Sequence, residues 1–532
     1  MGFESNDRFQ DRHVGPDARD RREMLEVVRA ASLEALMDEA IPENIRLERP
    51  LDLPGGETEY EFLQRLRGVA SENDLYRSFI GMGYYACITP SVILRNVLEN
   101  PGWYTPYTPY QAEVAQGRLE SLLNFQTMVH DLTGTDIANA SLLDEATAAA
   151  EAMAMLHRIQ SRDLKTADRN AFVVSSRCFP QTLEVLRGRA EPLRLSLQCA
   201  EPDAMHFDRS QFGVLLQYPD DNGAIEDLTP IIERAHRSGV LVAVATDLLS
   251  LTLFTPPGEM GADVVIGSTQ RFGVPMGYGG PHAAFLATRT EYVRQAPGRI
   301  IGVSIDAHGN RAYRMALQTR EQHIRREKAT SNICTAQALL ADVAAMYAVY
   351  HGPEGLKRIA QRIHALTSVL DHTLTGLGFV QANEIYFDTL NIPIPGGAEA
   401  VGRLRAAALQ ERMNFRYFAE GAVGISLDET TTLEDVQAIV DVFARVAGRS
   451  SPPLELQGTR ARGDIPLRLQ RQTPFLTHPV FNTHHSETEM MRYLRNLERR
   501  DIGLDRSMIP LGSCTMKLNA ASEMLPVTWP EF

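Results

Sequence analysis

The stretch Gly267-Ser-Thr-Gln-Arg-Phe-Gly-Val-Pro-Met-Gly-Tyr-Gly-Gly-Pro-His-Ala-Ala-Phe285 decides how this chain is interpreted. An apolar run, Ala262-Asp-Val-Val-Ile-Gly267, leads into it, and a second, Ala283-Ala-Phe-Leu-Ala287, follows. Between them lies a polar Ser-Thr-Gln-Arg corner, and then glycines at positions 273, 277, 279 and 280. Two buried strands joined by such a corner are typical of an α/β protein.

Short apolar runs and helix-like segments alternate around this stretch. We predict strands at residues 171–175, 213–217, 241–245, 264–266 and 283–286, and helices at residues 113–132, 144–160, 181–190 and 228–238. Strands that are apolar throughout and separated by helices form parallel sheets covered on both faces. The sequence therefore predicts an α/β large domain with a mostly parallel sheet, preceded by an arm with a helix at residues 20–37.

The pattern changes after about residue 330. Helices surround one predicted strand at residues 384–390, and Thr431-Thr-Leu-Glu434 opens a helix over residues 433–446 like a capping box. These segments predict a smaller α+β C-terminal domain. Ser450-Ser-Pro-Pro453 begins a linker, and Ser486-Glu-Thr-Glu489 caps a further helix.

The composition narrows the class of protein. The 532 residues carry a net charge of −14, which argues against nucleic acid as a partner. The longest apolar run, residues 239–254, is interrupted by Asp247 and is too short to span a membrane. The five cysteines form no C-x-x-C motif, and the histidines show no metal-ligand spacing. Because the N-terminus resembles neither a signal nor a transit peptide, we expect a cytoplasmic protein without a metal site.

The chain contains an internal repeat whose second copy is short. Four matches occur in order and at a nearly constant offset: Glu57-Thr-Glu59 with Glu487-Thr-Glu489, Arg77-Ser-Phe-Ile80 with Arg506-Ser-Met-Ile509, Ile80-Gly-Met-Gly83 with Ile509-Pro-Leu-Gly512, and Trp103 with Trp529. Two similar helix-then-loop elements could match by coincidence. The order of the matches favours a tandem pair of homologous units, of which the second has only begun at Phe532.

The opening stretch also resembles the segment around the Schiff-base lysine of pyridoxal-phosphate (PLP) enzymes of the aspartate-aminotransferase-like class. In that class an aspartate after a core strand pairs with the pyridine nitrogen, and Asp247 stands in its place. No lysine lies between residues 166 and 327, because the lysines of the chain are Lys165, Lys328, Lys357 and Lys517. Neither the amide of Gln270 nor the guanidinium of Arg271 can form an imine.

Taken together, the motifs resemble the glycine dehydrogenase (decarboxylating) family, the P-proteins of the glycine cleavage system. The strings that carry this resemblance extend over essentially the whole chain: Arg12-His-Val-Gly-Pro16, Phe79-Ile-Gly-Met-Gly-Tyr-Tyr85, Asn100-Pro-Gly-Trp-Tyr104, Tyr107-Thr-Pro-Tyr-Gln111, Gln116-Gly-Arg-Leu-Glu120, Leu123-Asn-Phe-Gln-Thr-Met128, Ile137-Ala-Asn-Ala-Ser-Leu-Leu-Asp-Glu-Ala146, Gln270-Arg-Phe-Gly-Val-Pro275, Ser426-Leu-Asp-Glu-Thr430 and Pro510-Leu-Gly-Ser-Cys-Thr-Met-Lys-Leu-Asn519.

The resemblance implies two homologous units of the PLP-dependent transferase-like fold (fold type I), either fused or split into two subunits. Only the second unit would carry the Schiff-base lysine, at the position that aligns with Gln270. The implied domains are an N-terminal arm (1–60), a degenerate large domain without that lysine (61–330), a small α+β domain (331–449), a linker (450–475) and the truncated start of the second, catalytic unit (476–532).

The family reaction is PLP-dependent decarboxylation of glycine, with transfer of the aminomethyl group to the lipoyl group of H-protein. The implied partners are the homologous catalytic half, which holds PLP on its own lysine, and lipoylated H-protein, in a homo- or hetero-oligomer. This chain would supply the half without the lysine, and we expect it to be inactive alone.

Candidate site residues lie in three places. Asp247 ends a core strand, although a lone aspartate there is more often a helix cap. Tyr107, Tyr110 and Glu113 belong to a Pro/Tyr-rich loop, where interface contacts are favoured slightly over ligand contacts. The tail residues Ser513, Thr515 and Lys517 are suited to a carboxylate or a phosphate at the mouth of the second unit's site, or form a solvated loop.

A different class of function also has to be weighed. The chain could be a self-sufficient fold type I PLP enzyme, such as an aminotransferase or a sulfur-transfer lyase, that uses Lys328 or Lys357. Both lysines lie in charged, helix-like surroundings, Arg325-Arg-Glu-Lys328 and Glu354-Gly-Leu-Lys357, where a solvated face is favoured.

Overall fold

The strands of the protein follow the apolar runs of its sequence. The computed structural model describes residues 8–47, 49, 51–105, 109, 111–162, 166, 168–280, 282–317, 322–331, 336–456, 465–508 and 519–532. In chain order the strands are β1 (Arg77–Phe79), β2 (Ile137–Ala138), β3 (Ala171–Ser175), β4 (Ser196–Ala200), β5 (Gln211–Tyr218), β6 (Leu241–Asp247), β7 (Val264–Ser268), β8 (Ala284–Thr288), β9 (Ile300–Ile305), β10 (Arg311–Ala316), β11 (Thr389–Pro393), β12 (Met413–Tyr417) and β13 (Ala422–Ser426).

The helices lie between and around these strands. They are α1 (Gln10–His13), α2 (Ala18–Val28), α3 (Leu33–Ala40), α4 (Glu59–Ala70), α5 (Ser91–Ile93), α6 (Pro101–Tyr104), α7 (Gln116–Thr133), α8 (Glu145–Gln160), α9 (Pro180–Ala190), α10 (Thr229–Arg237), α11 (Gln322–Arg325), α12 (Ala338–Gly376), α13 (Gly397–Gln410), α14 (Leu433–Val446), α15 (Glu487–Glu498) and α16 (Ala521–Met524). No described helix combines the length and the apolar character that crossing a bilayer requires.

The central sheet has the strand order β2-β8-β7-β6-β5-β3-β4. Strands β3 to β7 pair in parallel, whereas β8 pairs antiparallel with β7 and with β2. The carboxyl ends of β5, β6 and β7 therefore lie side by side at one edge, where open α/β sheets bind their ligands. The predicted α/β architecture with a mostly parallel sheet is confirmed.

Helices cover both faces of this sheet. Val242 and Val244 of β6 belong to the core that contains residues of α7 and α12. Ala243 and Ala245 of the same strand belong to a separate core with residues of α8 and α9. Because neighbouring residues of a strand point to opposite faces, a strand buried on both sides is apolar throughout.

A smaller sheet accompanies the C-terminal helices. Its order is β1-β12-β13-β11, with β1 parallel to β12 and the other pairs antiparallel. Helix α14 packs beside it, since the Phe443 ring of α14 contacts the rings of Phe379 and Phe415. Mixed strands and helices agree with the α+β character predicted for this region.

The chain divides into two compact units. One comprises residues up to 75 together with residues from 519 onward, and the other comprises residues 76–518. Within the first unit, Cζ of Arg67 lies 3.5 Å from the ring centroid of Trp529, and Nδ2 of Asn73 donates to the carbonyl of Glu531 (3.2 Å). The domain boundaries at 60, 330, 449 and 475 stay a prediction.

Several local predictions differ from the structure. The predicted helix over residues 20–37 is two helices, because Arg29 has a φ of 61° and ends α2. The strand predicted at residues 384–390 begins only at Thr389. The capping box of α14 joins Thr432 and Asp435, one residue later than predicted. The bounds of α14 and the Ser486 cap of α15 are confirmed.

Candidate functional site

The carboxyl ends of β6 and β7 bring the central candidate residues together. Asp247 is the last residue of β6 and pairs in register with Ser268, the last residue of β7. Gln270 and Arg271 follow directly after β7. Because the two strands are parallel neighbours, their polar ends meet at one edge of the sheet and line a common pocket.

Gln270 connects two loops beneath this pocket. Only 1% of its surface is exposed. Its Oε1 accepts from the backbone N–H of Tyr85 (2.9 Å), and its Nε2 donates to the carbonyls of Tyr85 and Val274 (both 2.7 Å). These bonds use both donors and one acceptor position of the amide. Gln270, predicted to occupy the lysine position, is therefore a buried structural connector and offers no nucleophile.

The Arg271 guanidinium lies between two carboxylates. Its Nη1 contacts Oδ2 of Asp247 and lies 2.8 Å from Oδ2 of Asp388, the residue before β11. Its Cζ is 3.8 Å from the ring centroid of Tyr85 and 5.4 Å from that of Phe387. Burial opposes the charge, but the two carboxylates outweigh it and raise the pKa of Arg271 still further. This guanidinium is a permanent cation at the end of the sheet.

The pocket does not fit PLP. The carboxylate of Asp247, which would pair with a pyridine nitrogen, instead contacts Arg271 and accepts from the backbone N–H of Leu249 (2.9 Å). The cavity that remains is about 30 Å³. Sites for small molecules and cofactors usually have about 300–1,000 Å³. We therefore assign no cofactor step to this pocket.

Glu145, the first residue of α8, lines the same pocket. It lies within the string Ile137–Ala146 but was not among the predicted site residues. Burial raises the pKa of its carboxyl to about 8, and the nearby charge of Asp247 adds to this. Among the described residues its Oε1 has no hydrogen-bond partner. Its protonated, neutral form is therefore favoured at neutral pH. An acidic residue in the first turn of a helix is common, so the sequence carried no signal of this burial.

Of the other predicted site residues, Glu113 belongs to the part of the chain that the structure describes. Glu113 lies exposed in a short turn before α7 and does not line it. The predicted candidates Tyr107, Tyr110, Ser513, Thr515 and Lys517 lie outside the described residues.

The glycine-rich stretch after Gln270 is buried at Gly273 and exposed farther along. Gly273 has a φ of 76°, and a Cβ there would lie 2.7 Å from the Tyr347 ring, so it allows a close approach between loop and helix. Farther along, Tyr278 is 76% exposed.

The structure also shows where the two lysines considered for a self-sufficient PLP enzyme lie. Lys328 and Lys357 are both exposed, and neither lines the pocket at Asp247. Their exposure agrees with the solvated surroundings predicted for them. Within the described part of the chain, no cluster of three or more His, Cys, Asp and Glu side chains could hold a metal ion.

Comparison with protein families and relatives gives a consistent result. A family model described as the glycine cleavage system P-protein matches residues 11–443. Glycine dehydrogenase (decarboxylating) from Nostoc sp. is 56% identical over 98% of this chain and 53% of its own length. Glycine dehydrogenase (decarboxylating) 2 from Pseudomonas putida is 56% identical over 98% of this chain and 54% of its own length. The chain thus spans about half the length of the curated relatives that it matches.

Solved structures agree with these sequence matches. A crystal structure of glycine decarboxylase (P-protein) of the glycine cleavage system, in inhibitor-bound form, has a TM-score of 0.74 and 34% identity, and the match covers 82% of this chain and 99% of the other. Lactobacillus brevis glutamate decarboxylase has a TM-score of 0.53 at 14% identity over 76% and 96% of the two chains. The second likeness concerns the fold alone, which is that of fold type I PLP enzymes.

Proposed function

The chain belongs to the family of glycine cleavage system P-proteins, and from this premise we propose that it is the half of glycine decarboxylase without the Schiff-base lysine. In the proposed complete enzyme, a homologous second half holds PLP on its lysine. That enzyme removes the carboxyl group of glycine and passes the aminomethyl group to the lipoyl arm of H-protein. This chain supplies scaffold and interface and is inactive alone.

One observation carries this proposal. The end of the parallel sheet, where this fold places its cofactor, holds Gln270 with its amide bonded and Arg271 paired with Asp247. This chain spans about half the length of its relatives and has no amine at that position. The decarboxylation of glycine therefore requires an active site in another half of the enzyme. The candidates Ser513, Thr515 and Lys517 are proposed for the mouth of that second site, and Tyr107, Tyr110 and Glu113 for the interface.

Complementation between separately purified halves tests the proposal. The second polypeptide is the part of the Nostoc relative that lies beyond the region matched by this chain. Release of labelled carbon dioxide from carboxyl-labelled glycine is measured with PLP and lipoylated H-protein. We expect no release from either half alone and release from the mixture. Release by this chain alone would refute the proposed role.

A matched variant sharpens this test. Replacing the Schiff-base lysine of the second polypeptide with alanine is expected to abolish release from the mixture. Gln270→Ala in this chain leaves the Schiff-base lysine of the second polypeptide in place. Any decrease in the release of carbon dioxide should therefore be proportional to the decrease in folded protein. If the lysine variant stays active, the catalytic amine lies elsewhere and the division of roles is wrong.

A further inference from the structure

Loss of the lysine does not by itself explain why a PLP-type pocket would reject the cofactor. A lysine supplies the covalent bond, but contacts to the ring and the phosphate also bind PLP. With only Gln270 changed, the pocket could still hold the cofactor without a covalent bond. A second feature must account for a remaining cavity of about 30 Å³.

That feature is the space taken by Arg271. Its planar guanidinium lies 3.8 Å from the centroid of the Tyr85 ring, which is van der Waals contact between two flat groups. Only 5% of its surface is exposed. An aromatic ring could not enter between the guanidinium and Tyr85 without moving one of them.

The charge of Arg271 also opposes the binding of PLP. Fold type I enzymes use an aspartate to hold the protonated pyridine nitrogen, a cation that forms when the cofactor binds. Here Asp247 already contacts the Arg271 guanidinium, which also lies 2.8 Å from Asp388. Arginine stays charged at all ordinary pH values. A pyridinium would have to displace a cation that is covalently part of the chain.

We propose that Arg271 is the residue that excludes PLP from this half: its side chain occupies the place of the cofactor ring and serves as the built-in counter-ion of Asp247. The inference concerns the pocket of this chain and does not depend on the proposed complementation. It follows that two neighbouring residues keep PLP out: Gln270 offers no amine for a covalent bond, and Arg271 occupies the position of the cofactor ring. A lysine at position 270 alone would therefore not restore PLP binding.

The test measures PLP bound to the purified chain, as cofactor retained after dialysis and as quenching of protein fluorescence during titration. The variants are Gln270→Lys, Arg271→Ala and the two together, beside the wild type. We expect no retention by the wild type or by Gln270→Lys. Both variants that carry Arg271→Ala should bind PLP more tightly than the wild type by roughly tenfold or more. The double variant should retain the most after dialysis.

Arg416→Ala is the matched control. Arg416 lines the same pocket, and its Nη2 lies 2.8 Å from Oδ2 of Asp221. It also pairs with a carboxylate, but it does not contact Asp247. We expect its removal to leave PLP binding at the wild-type level. Equal binding by the Arg416→Ala and Arg271→Ala variants would contradict a specific role for Arg271.

Removal of Arg271 takes a cation away from the buried Asp388 and the partly buried Asp247 and could prevent folding. The variant Arg271→Ala/Asp388→Asn removes one of these charges and is measured in parallel. Methylguanidinium, which matches the missing group, should raise the melting temperature of an Arg271→Ala protein but not that of the wild type.

Three results would overturn the inference. They are stoichiometric PLP binding by the wild type, PLP binding by Gln270→Lys as tight as by the double variant, and no gain in binding by a folded Arg271→Ala/Asp388→Asn protein.

Discussion

At the scale of single residues, one buried amide at the end of the central sheet connects two loops. The Gln270 amide holds the loop at Tyr85 against the loop at Val274. Each bond is made to the backbone, so it depends on where those loops lie rather than on their side chains. The residue is therefore expected to matter for stability, although it has no chemistry of its own.

Gln270→Ala should lower the free energy of unfolding by about 2–3 kcal/mol, because the backbone N–H and carbonyl of Tyr85 lose their bonds to the amide and the carbonyl of Val274 keeps the weaker thiol donor of Cys87. Urea titration followed by circular dichroism measures the change. Gln472→Ala is the control, since the Gln472 amide is exposed and donates to the nearby carbonyl of Gln470 (3.2 Å). Equal unfolding midpoints for the two variants would show that the Gln270 bonds carry no stability.

A second prediction at the scale of single residues concerns the protonation of Glu145. Its pKa is about 8 in the folded chain against an ordinary value of 4.5, chiefly because of burial. The folded state therefore holds a proton that the unfolded state has released, and stability falls as the pH rises from 4.5 to about 8. Glutamine mimics the protonated form at every pH.

We expect Glu145→Gln to melt at a higher temperature than the wild type at a pH above 8, and at nearly the same temperature at a pH below 4.5. Thermal melts in buffers on both sides of this interval measure the difference. The exposed Glu233→Gln should give no such trend. A constant difference across the pH range would mean that Glu145 does not titrate as described.

At the scale of elements, the contact between α7 and α15 shows why one glycine is required. Gly117 lies in the first turn of α7, and a Cβ there would lie 1.9 Å from the carbonyl oxygen of Leu497 in α15. Asp501, just after α15, accepts from the backbone N–H groups of Gly117 (2.6 Å) and Arg118 (3.0 Å). One carboxylate thus caps the first helix and attaches the second to it.

Gly117→Ala should destabilise the chain by about 1–3 kcal/mol, because backbone rather than a flexible side chain would have to move. Gly188→Ala is the matched control in α9, where a Cβ would meet nothing within 4 Å. There alanine should stabilise the helix by about 0.5–1 kcal/mol. The two glycine variants should therefore shift the unfolding midpoint in opposite directions, and shifts of the same sign would contradict the close approach.

At the scale of the whole molecule, the larger unit exposes apolar side chains that a complementary half could cover. Val303 and Ile305 of β9 are 58% and 72% exposed, and lie two residues apart on one side of the hairpin with β10. Gln116 attaches this hairpin to the region of Glu113, since its amide donates to the carbonyl and accepts from the N–H of Tyr313 (both 2.9 Å). The hairpin is therefore attached close to Glu113, one of the predicted interface residues.

The double substitution Val303→Asp/Ile305→Asp should weaken binding to the complementary half by roughly tenfold or more, because charge would be buried in an apolar contact. Sedimentation velocity of the mixture measures the complex, and the melting temperature of the chain alone should stay unchanged. Val380→Asp, also at an exposed position (45%), serves as the control. Equal complex formation by all three proteins would place the interface elsewhere.

The sequence by itself determined the α/β class, most of the central strands, the place of Asp247 and the absence of an amine at Gln270. These features are local: apolar runs set the strands, and a residue type carries its own reactivity. Periodicity was less informative where conformation changes within one or two residues, as at Arg29 in the arm and at Thr432 before α14.

Only the tertiary structure decided that the pocket at the end of the central sheet is occupied by the Arg271 side chain. Asp388 lies 117 residues from Arg271, and Tyr85 lies 185 residues from Gln270, so no pattern of spacing connects them before the chain folds. The same holds for Glu145, whose pKa is raised by the surroundings that the fold builds around it. Charge pairing and burial depend on distances in space, and for these residues the folded chain alone sets those distances.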